Sequence, residues 1–444
     1  MRIVVVGCGH VGLITAVGFA EIGHEVVGID NDEARLRDLQ AGRAPFYEPG
    51  VQELLSRHLG RSLSFTGDVA EAVTGADAAF ICVNTPPRPD GRLSLAYVEQ
   101  AARTVAEAAE GSLVIVEKST VPANTARRIQ VILREMDVDP QIEVASNPEF
   151  LREGTALHDA LNPDRIVVGV ANDGGRARKV LEELYEPITR RTGCPLIVTD
   201  LDTAELTKHA SNSFLAMKIS YINMIAELCE QLGADVDLVA EGMGLDPRIG
   251  ASFLRAGVGY GGFCFPKDVA GLIAQASDAG LDFGLLEQVR SINDRQRTRL
   301  LGKVRQAVWN LEGKTIAVWG LAFKPGTDDL REAPSLDVIP AMQSEGAAVR
   351  AYDPAAGEEA GTRLSGSEVA ETALDAATGA DALVVLTDWP EFAETDLGLL
   401  ARTLRRPVVV DGRNLWSVED MAAHGFTYLS FGRPDVVAGE IRRP

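Results

Sequence analysis

Residues 257–268 read GVGYGGFCFPKD, a glycine-rich loop that closes on one cysteine, Cys264, with Lys267 and Asp268 three and four residues after it. A helical pattern, VAGLIAQASDAG, runs on from residue 269. A thiol beside a helix N-terminus, with an ammonium close by, has a stabilised thiolate. The thiolate is the nucleophilic form, which makes Cys264 a candidate nucleophile. The plainer reading, an inert cysteine in a glycine turn, stays open on these residues alone.

A second constellation lies at the N-terminus. GCGHVG places Gly7, Gly9 and Gly12 after the apolar run RIVVVG and at the start of a helical stretch, and Asp30 ends the next apolar run. In that context the pattern reads as a dinucleotide-binding turn. Gly7 permits the tight turn, Gly9 lets backbone N–H groups approach a pyrophosphate, and Gly12 lets helix and strand pack closely. Asp30 would accept hydrogen bonds from an adenosine ribose and repel a 2′-phosphate, favouring NAD over NADP. Arg35, close in sequence, would weaken that preference.

A nicotinamide cofactor and a nucleophilic thiol together point to oxidation of an alcohol past the aldehyde. Hydride removal alone stops at the aldehyde. Thiolate addition gives a thiohemiacetal, a second hydride loss gives a thioester, and water releases the acid. Each tetrahedral stage develops an oxyanion that needs preorganised donors. Lys208 and Asn212 in KHASN are four apart on a predicted helix, hence on one face. Thr120 in KSTVP and Glu149 and Glu153 in NPEFLREG stand at or beyond predicted strand ends. Asp268 is either a general base or a favourable charge in a first helical turn.

The elements that must position these groups alternate in type. RIVVVG reads as a buried parallel strand and HEVVGID, ADAAFICVNTP, GSLVIVEKST and IEVASNPEF as further strands, with helical stretches such as 95–110 and 123–136 between them, and RIVVGV and PLIVTD extend the domain. From about 202 to 300 the strand signal vanishes, and TAELTKHASNSFLAMKISYINMIAELCEQLGA reads as one long helix. That helix suits either a subunit interface or a buried spacer. At 314 the alternation resumes with KTIAVWG, AAVRAYD, DALVVLTDW and RPVVVDGRN, separated by helices near 335–345 and 366–378. The expected fold is α/β: two doubly wound, Rossmann-like parallel-sheet domains, 1–200 and 314–444, joined by a helical middle domain, 201–300. Ligands of such sheets bind beyond the carboxyl ends of the strands.

Composition narrows the class. The 444 residues are 46% hydrophobic and 24% charged, which suits two or three globular domains. The net charge of −21 argues against nucleic acid and anionic membranes as partners, so an anionic ligand needs local clusters of Lys and Arg. No apolar run approaches a membrane span of about 18 residues. The N-terminus lacks the features of a signal peptide, and the expected location is the cytoplasm. Five dispersed cysteines without a CxxC pair, and six His without ligand spacing, predict neither a disulfide scaffold nor a metal site.

The motifs GCGHVG, VNTP, KSTVP, NPEFLREG, KHASNSFLAMKISYIN, GVGYGGFCFPKD and GLAFKPGTDDLREAPS occur in this order over nearly the whole chain. In this the chain resembles the UDP-glucose/GDP-mannose dehydrogenases. CFPKD and LHDALNPDRIVVG look like the UDP-glucose branch. The resemblance implies two successive NAD-dependent oxidations of the sugar C6 alcohol of UDP-glucose, giving UDP-glucuronate. It makes Cys264 the nucleophile and gives Lys208 and Asn212 the oxyanions. Asp268 would activate or position the thiol or water, Thr120 and Glu149 would hold the hydrolytic water, and Glu153 would lie near nicotinamide and substrate. Beyond Gly7, Gly9, His10, Val11 and Gly12, its cofactor site implies Asp30, Arg35, Thr85, Thr120, Glu153, Lys267 and Arg331. Its substrate site implies Glu149, Phe150, Leu151, Arg152, Glu153, Lys208, Asn212, Arg248, Arg255, Tyr260, Gly261, Phe323, Lys324 and Arg413. Homodimers or larger homo-oligomers through the middle helices are also implied.

Two positions depart from the family pattern. Phe263 stands where members often have Ser, and Met224 where an acidic residue is frequent. Rival readings are the same chemistry on another nucleotide sugar, a one-step hydroxyacid dehydrogenase, and a non-catalytic NAD-binding protein. The hydroxyacid enzymes lack the nucleophilic cysteine and the third domain.

Overall fold

The computed structural model describes residues 1–136 and 141–443, so the predicted segments that reach 137–140 and 444 are covered only up to those positions. The chain forms two compact units, Met1–Ser211 with Ala270–Gly280, and Asn212–Val269 with Leu281–Pro444.

The first unit holds an eight-stranded sheet. Its strands are β1 (Arg2–Val6), β2 (Glu25–Ile29), β3 (Leu63–Thr66), β4 (Ala78–Ile81), β5 (Val114–Glu117), β6 (Glu143–Ser146), β7 (Ile166–Val170) and β8 (Leu196–Thr199). The order is β3-β2-β1-β4-β5-β6-β7-β8. The strands β4, β5 and β7 are buried on both faces, which is why they read as unbroken apolar runs. In β1, Ile3 and Val5 join one core and Val4 the other, the two-residue alternation of a pleated strand.

The sheet is not parallel throughout. β6 and β7 pair antiparallel, and they share only the pairs Ala145↔Val170 and Ser146↔Gly169. Ile166–Val168 therefore project past the end of β6, and β8 runs parallel to β7 until Thr199 stands opposite Gly169. The chain thus returns level with the end of β6 as the helix Leu201–Leu232 begins. Gly169 is needed there, because a Cβ would lie 2.7 Å from the Cβ of Ala204.

In the second unit the strands are β9 (Thr315–Trp319), β10 (Ala348–Tyr352), β11 (Ser367–Val369), β12 (Ala382–Val385), β13 (Val408–Asp411), β14 (Thr427–Leu429), β15 (Asp435–Val437) and β16 (Glu440–Arg442). Their order, β11-β10-β9-β12-β13-β14-β15-β16, begins like that of the first sheet and ends in antiparallel β15 and β16. The helix expected near 366–378 is instead the edge strand β11 followed by a short helix, Ala373–Ala377. Strands β3, β11 and β14 to β16 are too short or too exposed to give an apolar run. The expected helices at 95–110, 123–136 and 335–345 are present as Ala96–Ala108, Thr125–Glu135 and Ser335–Ser344. Among the described residues, no helix is long and apolar enough to cross a membrane.

Candidate active site

The glycine turn of the first unit follows β1 directly. Gly7 has φ +90°, and a Cβ on it would lie 2.9 Å from the carbonyl oxygen of Cys82. A Cβ on Gly12 would overlap the oxygen of Gly7 at 1.7 Å, so the helix His10–Glu21 can only cross here without a side chain. Gly9 differs: a Cβ there would meet no atom within 4 Å. Gly9 caps that helix and, having no side chain, makes no capping bond to its N–H groups. An open, uncapped helix N-terminus is what a pyrophosphate takes up, and these residues fit a dinucleotide.

Asp30, at the end of β2, is buried. Its Oδ2 accepts the Cys8 N–H at 2.8 Å and its Oδ1 accepts the Asp32 N–H at 2.9 Å. Arg35 also pairs with it, at 3.0 Å. Thr85, after β4, donates its hydroxyl to the carbonyl of Thr120 at 2.9 Å, which joins the VNTP and KSTVP turns.

Glu149 and Lys208 form a buried ion pair, Nζ to Oε1 at 2.9 Å. The other carboxylate oxygen accepts the N–H of Leu151 at 2.6 Å. Phe150 lies under two cations, the Lys208 ammonium at 5.5 Å and the Arg165 guanidinium at 3.8 Å from its ring centre. Arg152 is held through both its backbone N–H and its guanidinium by Asp159. Two further polar groups here were not expected from sequence. Lys118 is buried and donates to Asn147 Oδ1 at 3.0 Å, and burial pushes its pKa down. Glu48 is buried and receives the N–H groups of Gly154 and Ala156.

In the second unit Cys264 is the first residue of the helix Cys264–Asp278 and is partly exposed. Asp268 follows one turn later on the same face and is fully buried. Its Oδ2 accepts the Asn212 amide at 2.6 Å, and its Oδ1 lies 2.8 Å from the Lys267 ammonium. The Asn212 amide and the paired ammonium together aim this carboxylate. The Phe263 ring carries the Lys267 ammonium at 5.2 Å and the Arg331 guanidinium at 4.4 Å. Met224 is exposed on its helix.

The loop ahead of Cys264 is closely packed. A Cβ on Gly261 would lie 2.2 Å from the oxygen of Glu332, and the N–H of Tyr260 is held by Asn293. Arg413 donates Nε to Leu386, Nη1 to Gly259 and Nη2 to Phe323, three backbone carbonyls. Lys324 lies over the ring of Phe323 at 5.6 Å. Arg255 pairs with Asp388 at 2.8 Å and reaches the Arg413 carbonyl. Arg248 stands outside this set of contacts, exposed and paired with Asp246. Among the described residues no cluster of His, Cys, Asp and Glu suits a metal.

Comparison with known proteins bears on the whole chain. The models of the UDP-glucose/GDP-mannose dehydrogenase family match in order: the NAD binding domain over residues 1–189, the central domain over 202–295 and the UDP binding domain over 317–418. The UDP-glucose 6-dehydrogenase TuaD of Bacillus subtilis is 46% identical over 98% of this chain and 94% of its own. The UDP-glucose 6-dehydrogenase of Rhizobium meliloti is 45% identical, covering 98% of this chain and 100% of its own. The solved UDP-glucose dehydrogenase of Pyrobaculum islandicum superposes with a TM-score of 0.88 at 38% identity, over 96% of each chain. With its motifs, its two sheets and these full-length matches, the chain belongs to the UDP-glucose/GDP-mannose dehydrogenase family.

Proposed function

We propose that this protein is an NAD-dependent UDP-glucose 6-dehydrogenase, which oxidises the C6 alcohol of UDP-glucose to the carboxylate of UDP-glucuronate. One observation carries the reading: Cys264 opens its helix one turn from a carboxylate fixed by Asn212 and Lys267. A one-step alcohol dehydrogenase has no use for that arrangement. Full-length relatives bearing the same activity support the choice of sugar.

The bound dinucleotide supplies the hydride acceptor, once for each two-electron oxidation. Gly7, Gly9, His10, Val11 and Gly12 would hold its pyrophosphate, Asp30 and Arg35 its adenosine ribose, and Thr85, Thr120, Glu153, Lys267 and Arg331 its remaining length. The Cys264 sulfur adds to the C6 aldehyde carbon, and the carbonyl π electrons move to oxygen. Lys208 and Asn212 are the donors for that oxyanion. After the second oxidation water attacks the thioester carbon, the C–S bond breaks, and the thiolate leaves. Glu149, with its Lys208 pair, and Thr120 are assigned to the water, and Asp268 to orienting the thiol and its proton.

Phe150, Leu151, Arg152, Tyr260, Gly261, Phe323 and Lys324 would line the nucleotide sugar. Arg248 and Arg255 would supply cations for its diphosphate. Arg413 would act mainly by tying the carbonyls of Gly259, Phe323 and Leu386 together. The division 1–200, 201–300 and 314–444 is retained as cofactor, helical and UDP-sugar domains. Phe214, Tyr221 and Leu228 recur every seven residues on one helix and are exposed, as a homodimer through that helix requires. A cytoplasmic location suits a nucleotide-sugar enzyme.

The test is NADH formed per UDP-glucose consumed, with purified protein and excess NAD. Two NADH per sugar with an acid product is expected. One NADH per sugar would refute the thioester route, and none would refute the substrate.

A further inference from the structure

The segment 152–156, which carries Glu153, is held by two carboxylates. Asp159 takes the N–H of Arg152 at 3.0 Å, as a side chain a few residues away often does. The second carboxylate comes from a distant part of the chain. Glu48 lies in the loop before the helix Val51–His58, more than a hundred residues earlier, and its side chain is fully buried. Its Oε2 accepts the Gly154 N–H at 2.7 Å and its Oε1 accepts the Ala156 N–H at 2.8 Å. Oε2 also lies 3.3 Å from Nε2 of His10, within the glycine turn. The His10 ring in turn packs on Phe46, two residues before Glu48, at 4.5 Å between ring centres.

A buried carboxylate is costly unless its oxygens are bonded, and here both bond backbone N–H groups on either side of one peptide. The bonds of a carboxylate to two N–H groups fix direction as well as distance. Glu48 therefore fixes the backbone next to Glu153 while touching the turn assigned to the pyrophosphate. We propose that Glu48 is a positioning residue that holds Glu153 in register with the cofactor turn. This rests on the role given to Glu153 above.

The experiment is a double-mutant cycle on steady-state oxidation of UDP-glucose, using Glu48→Ala, Glu153→Gln and the pair, with NAD affinity measured by titration. Misplacing a reacting group by about an ångström costs up to about a hundredfold in rate. Glu48→Ala is expected to lower kcat at least about tenfold, with the Kd for NAD changed less than about threefold. In the Glu153→Gln background the same change should have almost no further effect, because the group it positions is gone. Effects that multiply would overturn the inference and mark Glu48 as a purely structural group. Loss of NAD affinity with kcat intact would overturn it too. Near-normal turnover of Glu153→Gln alone would instead sink the role of Glu153, and with it this inference. Glu48→Gln keeps the shape and one acceptor oxygen, and its cycle decides the matter with an intermediate loss of kcat should the alanine variant not fold.

Discussion

Glu205 should make the stability of the first unit fall as pH rises. It lies early in the helix Leu201–Leu232 and is 2% exposed, and its Oε1 accepts the Ala126 N–H at 2.8 Å. Burial pushes its pKa from 4.5 up to about 8. Glu117, at the end of β5, is pushed up too, by burial first and then by the charge of Glu205. The folded protein thus keeps a proton on Glu205 that the unfolded chain releases. A raised pKa gives stability that is complete below the unfolded value of 4.5 and lost as pH rises toward the folded value of about 8. One pH unit within that window is worth about 1.4 kcal/mol, so the loss accumulated by pH 7 is about 3 kcal/mol. Glu205→Gln keeps an oxygen for Ala126 and has no proton to lose. Urea unfolding of both proteins at pH 5, 6, 7 and 8 measures the difference. Circular dichroism is the suitable signal, since Trp309, Trp319, Trp389 and Trp416 all lie in the second unit. The stability of the glutamine variant relative to wild type should rise by about 1 kcal/mol per pH unit. Parallel pH curves for the two proteins would refute the reasoning.

Two substitutions address the chemistry. Cys264→Ser should abolish steady turnover with UDP-glucose while leaving the Kd for NAD unchanged, and near-normal NADH production in that variant would exclude the thioester route. Asp30→Ala should weaken NAD and reduce its preference over NADP, because Asp30 positions the turn through Cys8 and carries the charge that repels a 2′-phosphate. An unchanged ratio of kcat/KM for the two cofactors would remove Asp30 from that role.

Much of the fold was legible because a strand buried on both faces leaves an unbroken apolar run, as in RIVVVG and DALVVLTDW. Strand direction leaves no such mark. RIVVGV reads the same parallel or antiparallel, so the reversal at β7 was invisible. Strand β3, Leu63–Thr66, was missed because alternate residues face out and its run breaks. That Cys264, Lys267 and Asp268 stand together was legible because they are close in sequence and share the first turn of one helix. Glu48 and Lys118 were not, since neither the loop FYEP nor the motif KSTVP reveals partners at Gly154, Ala156 and Asn147. Phe263 looked like a tolerated departure, and its ring proves to be the platform for Lys267 and Arg331.

The reversal at β7 has a consequence for how this enzyme can diversify. A parallel β6–β7 connection would have to cross to the opposite edge of the sheet before the next strand could start. Because β7 starts beyond the end of β6, the chain between Ser146 and Ile166 leaves and re-enters the sheet at the same edge, anchored at its base by the Asn147 amide on the Val167 carbonyl. That stretch contains Glu149 to Glu153. A change of length between Glu149 and Ala156 would break the bonds to Lys208, Asp159 and Glu48, so only the turns outside these points can vary at the small cost of loop entropy. The stretch is a pinned insert rather than a free loop: the strands set its two ends, and Lys208, Asp159 and Glu48 set its middle.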